Sequence, residues 1–181
     1  MKIVKRLLND VLLLREELKC DEVSTFSTFT FRDLQIFGVE AHFVQDNQSR
    51  SAASVIRGLH YQIQHPQGKL IRVLSGKIYD VAVDLRRSST TYCKHAAIEI
   101  EADGGGTFLW IPPGFAHGFL TIDVSAEISY SVTDYRYPEY ERTLLWSDPT
   151  LRIEWPLEQR QPTLSQKDQN GALLSVLEHY S

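Results

Sequence analysis

Lys77-Ile78-Tyr79-Asp80-Val81-Ala82-Val83-Asp84-Leu85 alternates with a period of two: Tyr79, Val81, Val83 and Leu85 share one face, and Asp80, Ala82 and Asp84 share the other. A helix would scatter those residues around its circumference, so the stretch is a strand. Its neighbours follow the same pattern. Residues 69–76, Lys-Leu-Ile-Arg-Val-Leu-Ser-Gly, lead into it through Gly76. Ala97 to Glu101 alternates apolar with acidic residues, and Asp103-Gly104-Gly105-Gly106 is a turn into Thr107 to Ile111. Pro112-Pro113-Gly114 breaks the chain before a strand from Gly118 to Val124. From Ala126 to Val132, Ile128, Tyr130 and Val132 oppose Glu127, Ser129 and Ser131. Thr25 to Phe31 is a further run of β-preferring Phe and Thr. Short strands at this spacing predict an all-β sandwich or barrel.

The two ends read less plainly. Ile3, Val4, Leu7, Leu8, Val11 and Leu12 recur at helical spacing, yet Asn9-Asp10 equally serves as a turn between two short strands. Leu173, Leu174 and Leu177 lie on one possible helical face of the tail from Asp168 to His179, weakened by Gly171. Neither end bears on function.

Composition bounds the function classes. With 181 residues, residues 1–181 are expected to form a single domain. A balance of 19 basic against 23 acidic side chains, net −4, argues against a broad nucleic-acid face or a polybasic membrane anchor. Cys20 and Cys93 form no CxxC pair, which excludes a cysteine zinc site and fits reduced thiols. Lys2, Lys5 and Arg6 precede an apolar stretch, but Asn9-Asp10 interrupts it and Arg15-Glu16-Glu17 closes it, unlike a secretory signal. No run approaches the ~20 apolar residues of a membrane span. The expected compartment is the cytoplasm.

Pro112-Pro113-Gly114-Phe115-Ala116-His117 is similar to the P-x-G-x-x-H half of the cupin signature, that of a superfamily of small jelly-roll β-barrels. The other half starts with glycine and presents two histidines two residues apart, then a Glu seven residues before a second glycine. Gly58, His60 and Gly76 fit, but Gln62 stands for the second histidine and Lys69 for the Glu. A charged ammonium has no lone pair for a metal, so the site is expected to hold no metal and no other cofactor. An inward cation suits another task, stabilising negative charge on a carbonyl oxygen. Proton abstraction beside a ketone creates such charge and needs one base, one acid and that cation. His60 is the natural base. Tyr130, on the inward-reading face of its strand, can return a proton from the other side.

The resemblance then becomes narrower. Phe43-Val44-Gln45-Asp46-Asn47, Arg57-Gly58-Leu59-His60-Tyr61-Gln62, Gln67-Gly68-Lys69-Leu70, Asp80 to Asp84, Trp110 to Phe119 and Leu164-Ser165-Gln166-Lys167-Asp168 occur in order. In these motifs the chain resembles the dTDP-4-dehydrorhamnose 3,5-epimerases, dimeric cupin-fold enzymes of deoxysugar biosynthesis. The resemblance implies a cupin jelly-roll barrel with short peripheral helices, a homodimer, and a nucleotide-diphosphate 4-keto-6-deoxysugar as substrate. It also implies that His60 is the base, oriented by Asp168, with Tyr130 as the opposing acid. Lys69 and His117 would line the sugar site. Arg57, Gln45, Asp46, Asn47, Glu141, Lys167 and, more loosely, Arg136 would contact the nucleotide diphosphate and its surroundings. Asp168 has a second reading, because Ser165-x-x-Asp168 is also a capping box. His42, His65, His95 and His179 have no supporting pattern.

The departures cluster on nucleotide recognition. Where the family has Asp-x-Arg-Gly-Phe-Phe-x-Glu, this chain has Asp21-Glu22-Val23-Ser24-Thr25-Phe26-Ser27-Thr28, without the arginine and the glutamate. Arg136 stands where a base-stacking tyrosine is expected, Gln48 replaces a histidine, and Ser131 replaces a lysine. An arginine can itself stack on a base. Three alternatives therefore stay open: an epimerase of one carbon on a CDP- or other nucleotide-linked sugar, a non-catalytic sugar-nucleotide-binding cupin, and a metal-dependent cupin, the last opposed by Gln62 and Lys69.

Overall fold

A computed structural model describes residues 1–104 and 106–181, apart from the side chain of Thr25. In chain order the strands are β1 (Lys2–Leu7), β2 (Val11–Arg15), β3 (Lys19–Cys20), β4 (Thr25–Phe26), β5 (Gln45–Ala52), β6 (Val55–Gln62) and β7 (Lys69–Ser75). They continue with β8 (Lys77–Asp84), β9 (His95–Glu101), β10 (Thr107–Ile111), β11 (Phe115–Thr121), β12 (Ser125–Val132), β13 (Glu141–Thr143) and β14 (Thr163–Leu164). Two short α-helices, α1 (Phe31–Gln35) and α2 (Gln166–Gln169), lie outside them. One sheet runs β1-β2-β10-β7-β12-β5, and the other runs β13-β6-β11-β8-β9 with β14 alongside β6.

Three apolar layers hold the sheets. Between them pack Val11, Ile71, Val73, Leu109 and Ile128 of the first sheet against Ile78, Ala82, Ile100, Phe115 and Phe119 of the second. The alternation in β8 sorts as read, and the tertiary structure decides which face goes where. Its apolar face, Val81 and Val83 with Leu85 beyond the strand end, lies outside, under Leu144, Leu151 and Leu174 of the C-terminal segment. The other face, with Ala82 and Asp80, turns into the barrel. Outside the first sheet, Leu12, Leu14, Leu70, Phe108 and Trp110 are covered by Leu34, Val39 and flanking phenylalanines.

Several local expectations change. The N-terminal segment is the hairpin β1–β2, with Leu8 and Asn9 at φ 45° and 68° in its turn. Of Thr25 to Phe31, only Thr25–Phe26 is strand; Phe31 opens α1, capped by Thr30 and Asp33. The phenylalanines there serve packing rather than a ladder, with Phe29 stacked on Phe108 at 4.6 Å and Phe31 on Phe43 at 4.5 Å. The strand expected from Gly118 to Val124 begins and ends earlier, at Phe115–Thr121, leaving Val124 exposed in a bend. Gly105 of the Asp103–Gly106 turn lies outside the described residues, while the Asp103 carboxylate accepts from the Gly106 and Thr107 amides.

In the tail, helix is confined to the single turn of α2. A Cβ at Gly171 would lie 2.8 Å from the Leu145 Cα, so glycine lets the chain run close beside Leu144–Leu145. Leu174 is then buried and Leu173 is exposed, not side by side on a helical face.

Candidate active site

The cavity lies between the sheets and has a volume of about 350 Å³. His60 and Arg57 reach it from β6, His117 from β11, Lys69 from β7 and Tyr130 from β12. A smaller space of about 130 Å³ shares His60, Lys69 and Tyr130 with it and adds Gln45, Asn47, Gln62, Arg136 and Glu141. The two adjoin along these shared residues and form parts of one site.

Strict alternation would send Arg57 and His60 to opposite faces of β6. Pairing with β11 prevents this: His117 faces His60 and Phe119 faces Arg57, so two residues of β6 oppose one of β11. The step is possible because Gly58 and Gly118 meet there. A Cβ on Gly58, at φ +110°, would lie 2.6 Å from the Gly118 Cα, and one on Gly118 would lie 2.5 Å from the Arg57 carbonyl oxygen. The bulge brings both side chains to the same cavity wall.

Asp168 arrives from far along the chain. Strand β14 pairs parallel to the start of β6, Thr163 beside Val55 and Leu164 beside Ile56, and α2 follows at once. His60 Nε2 lies 2.6 Å from Asp168 Oδ1. Ser165 Oγ donates to Asp168 Oδ2 at 2.7 Å, the Gly58 amide donates to Oδ1 at 3.3 Å, and the Asp168 amide donates back to Ser165 Oγ at 3.2 Å. Asp168 thus belongs both to the helix cap and to the histidine pair. Burial pushes its carboxyl up, but the hydrogen bonds from His60, Ser165 and Gly58 outweigh that, and its pKa lies below the usual value. An ionised Asp168 accepts from Nε2–H and leaves the lone pair of the neutral imidazole on Nδ1. Burial first, then the charges of Lys167 and Lys69, hold the His60 pKa down against the pull of Asp168. His60 is therefore neutral near pH 7.

Lys69 is buried, and its Nζ donates to the His60 carbonyl oxygen at 3.3 Å. Burial lowers its pKa to about 8, with Asp80 and Glu141 opposing the shift. It stays largely protonated at neutral pH. Tyr130 enters from β12, beside β7 in the sheet of Lys69 and across from His60, and burial raises its pKa, which keeps the phenol protonated.

At the smaller space, Glu141 takes Lys167 Nζ on Oε1 at 2.6 Å and Arg136 Nη2 on Oε2 at 2.9 Å. Burial raises the Glu141 pKa, and these two cations lower it further than burial raises it. Gln45 and Asn47 face the same space and bond to each other at 2.7 Å. Asp46 does not join them: its place in β5 turns it to the outer face, where it bonds to Ser131. Alternation along the strand separates it from its two neighbours in the motif.

Two site features escaped the sequence reading. Asp80 Oδ2 lies 2.9 Å from His117 Nε2 in a second buried His–Asp pair. Its signal was an aspartate on a face that turned out to be interior. Gln62 bonds to the turn bearing Arg136 rather than standing free in the barrel. Elsewhere, His65 stacks on Tyr137 at 4.3 Å, and His179 lies beside Tyr92. Neither lines the cavity.

Comparison with known proteins shows the family. The family model described as dTDP-4-dehydrorhamnose 3,5-epimerase matches residues 5–175. A dTDP-4-dehydrorhamnose 3,5-epimerase of Pseudomonas aeruginosa is 44% identical over 173 residues, covering 94% of each chain. One of Methanothermobacter thermautotrophicus is 41% identical over 171 residues, covering 93% of this chain and 92% of the relative. The crystal structure of the Legionella pneumophila dTDP-6-deoxy-D-glucose-3,5-epimerase, in complex with dTDP-4-keto-L-rhamnose, matches with a TM-score of 0.91 at 38% identity, over 98% of this chain and 94% of that one. The Bacillus anthracis dTDP-4-dehydrorhamnose 3,5-epimerase, with TDP and PPi bound, matches with a TM-score of 0.90 at 38% identity, over 96% and 99%. The all-β cupin fold, the ordered motifs and these matches agree, and the chain belongs to the dTDP-4-dehydrorhamnose 3,5-epimerase family.

Proposed function

We propose that the protein epimerises a nucleotide-diphosphate 4-keto-6-deoxysugar at carbons 3 and 5, without a cofactor. The observation that carries this reading is the placement of His60 and Tyr130 on opposite sheets facing one cavity, with the Lys69 cation in the same lining, on the strand beside that of Tyr130. His60 Nδ1 takes the proton from a carbon beside the ketone, and the C–H electron pair moves into the enolate. The negative charge gathers on the oxygen at carbon 4, where Lys69 stabilises it. Tyr130 donates a proton to the opposite face of that carbon, and the double bond reverts to the ketone. Exchange with solvent returns a proton to Tyr130 and removes one from His60, so the reaction neither consumes nor releases protons.

Arg57, Gln45, Asn47, Arg136, Glu141 and Lys167 are read as the nucleotide-diphosphate end. The ligands of the Legionella and Bacillus relatives support this, being a dTDP-sugar and TDP with PPi. Residues 1–181 are read as one epimerase domain, acting as a homodimer in the cytoplasm. The apolar layer shared by both sheets, with one further layer covering the outside of each, supports the single domain. No helix among the described residues is long and apolar enough to cross a membrane.

The test is incubation with dTDP-, CDP- and GDP-linked 4-keto-6-deoxyglucose in deuterated water, with the label located by NMR. Deuterium at carbons 3 and 5 is expected with the dTDP sugar. Label at a single carbon points to a restricted epimerase, and no label with any of the three overturns the enzymatic reading.

A further inference from the structure

Gln62 is 3% exposed and spends its whole carboxamide on two turns beside the smaller space of the site. Its Nε2 donates to the His65 carbonyl oxygen at 2.8 Å and to the Tyr135 carbonyl oxygen at 3.2 Å. Its Oε1 accepts from the Tyr137 amide at 2.7 Å. Arg136 sits between the two residues so held. The backbone of Gln62 is meanwhile in register with Glu141, the partner of Arg136. One residue therefore ties down both ends of the Arg136–Glu141 ion pair, through its side chain at one end and its strand pairing at the other. Gln67 adds a donor to the Asp134 carbonyl oxygen at 2.8 Å, at the start of the same turn.

We infer that Gln62 is a positioning residue for ligand affinity: its carboxamide holds the 135–137 turn so that Arg136 lines the smaller space of the site, where the nucleotide-diphosphate end of the substrate binds. With three hydrogen bonds already made, the carboxamide has no donor left for a ligand. It acts through Arg136 and takes no part in the proton transfers. Arg136 is itself mostly exposed, with 61% of its side chain accessible, so its position depends on the turn and on the Glu141 ion pair more than on packing around it. The inference rests on the reading of this space as the nucleotide-diphosphate site.

The test compares Gln62→Met, Arg136→Ala and the double variant in steady-state kinetics with dTDP-4-keto-6-deoxyglucose and in calorimetric titration with dTDP. Gln62→Met keeps the side-chain length and removes all three bonds. It should raise KM and the Kd for dTDP by about tenfold, the scale of one lost charged hydrogen bond. The kcat should stay within about threefold and the pH profile should not move, because His60 and Lys69 are untouched. In the Arg136→Ala background, Gln62→Met should add nothing. If Arg136→Ala raises KM and Gln62→Met does not, or if the two losses add in full, the inference is overturned alone. If Arg136→Ala leaves KM and Kd unchanged, the reading of this space as the nucleotide-diphosphate site fails and the inference falls with it. Should circular dichroism show that Gln62→Met is misfolded, Gln62→Glu makes the same comparison, since it keeps the acceptor for Tyr137 and loses both donors.

Discussion

Replacing Asp168 with asparagine removes one charge and almost no volume. The asparagine oxygen can still accept from Ser165 Oγ or the Gly58 amide, so the end of α2 should stay folded. The 2.6 Å contact with His60 changes character, from a charge-assisted bond to a neutral one. Such a bond to a charged group contributes about 1.5–3 kcal/mol, and each 1.36 kcal/mol is tenfold in rate, which sets a floor of about 10- to 100-fold on the loss. A second effect adds to it. An amide NH₂ turned toward Nε2 favours the tautomer with the proton on Nδ1, and the wrong tautomer in a comparable His–Asp pair costs on the order of 10⁴. We expect kcat for deuterium incorporation at carbon 3 to fall between about 10²- and 10⁴-fold, with KM within about threefold. The pH profile gives an independent check. Asp168 holds the His60 pKa up against burial, so its loss should move the acidic limb to lower pH. A rate within a few-fold of the parent, or an acidic limb that moves upward, would refute the assignment of Asp168 as the group that orients and charges His60.

Two further outcomes follow from the electrostatics. The parent kcat/KM should be bell-shaped in pH. Burial lowers the His60 pKa, so activity falls only below the ordinary histidine value of 6.5, and it falls again as Lys69 loses its proton near pH 8. A profile still rising above pH 9 would remove the Lys69 ammonium from the transition state. Stability offers the other test, at Asp84, whose carboxylate accepts from Arg86, Ser89 and Thr91. Burial raises its pKa, but those bonds bring it down to about 2 from the unfolded 3.8. Stabilisation of about 2 kcal/mol is therefore present above pH 4 and is lost as pH falls from there toward 2. Asp84→Asn should lower Tm at pH 7 by several degrees and flatten that acid loss, both read by thermal melts across pH; an unchanged melt would show that the Arg86 loop is held by other contacts.

The strands of the barrel were legible because burial on at least one face imposes alternation, as β8 and β12 show. The ends were harder to read. The N-terminal leucines match a helical stripe by spacing, but hydrogen bonding of Leu12 to Leu14 with β10 draws them into the first sheet. The Phe-rich stretch after Thr25 has strand propensity, yet its rings pack better as a cover over Phe108 and Trp110. In the tail, contact with Leu144 and Leu151 outweighs any preference for helix in a segment that carries Gly171. Local pattern loses wherever tertiary packing offers an apolar face a better partner.

At the site the division is sharper. From residue types and spacing alone came the reaction class: a histidine base, a lysine in place of a carboxylate, a tyrosine on an inward face, and the ordered motifs of the family. Those are chemical identities, and a sequence carries them directly. Distance and direction belong to the tertiary structure. A two-against-one step in β6 turned Arg57 and His60 to one wall, and a parallel pairing more than a hundred residues away set Asp168 against His60. The same packing turned Asp46 outward, set Asp80 against His117, and placed Arg136 and Lys167 on a shared Glu141. A net charge of −4 spread over the chain thus coexists with a cationic cavity, because net charge is a sum and a site is an arrangement.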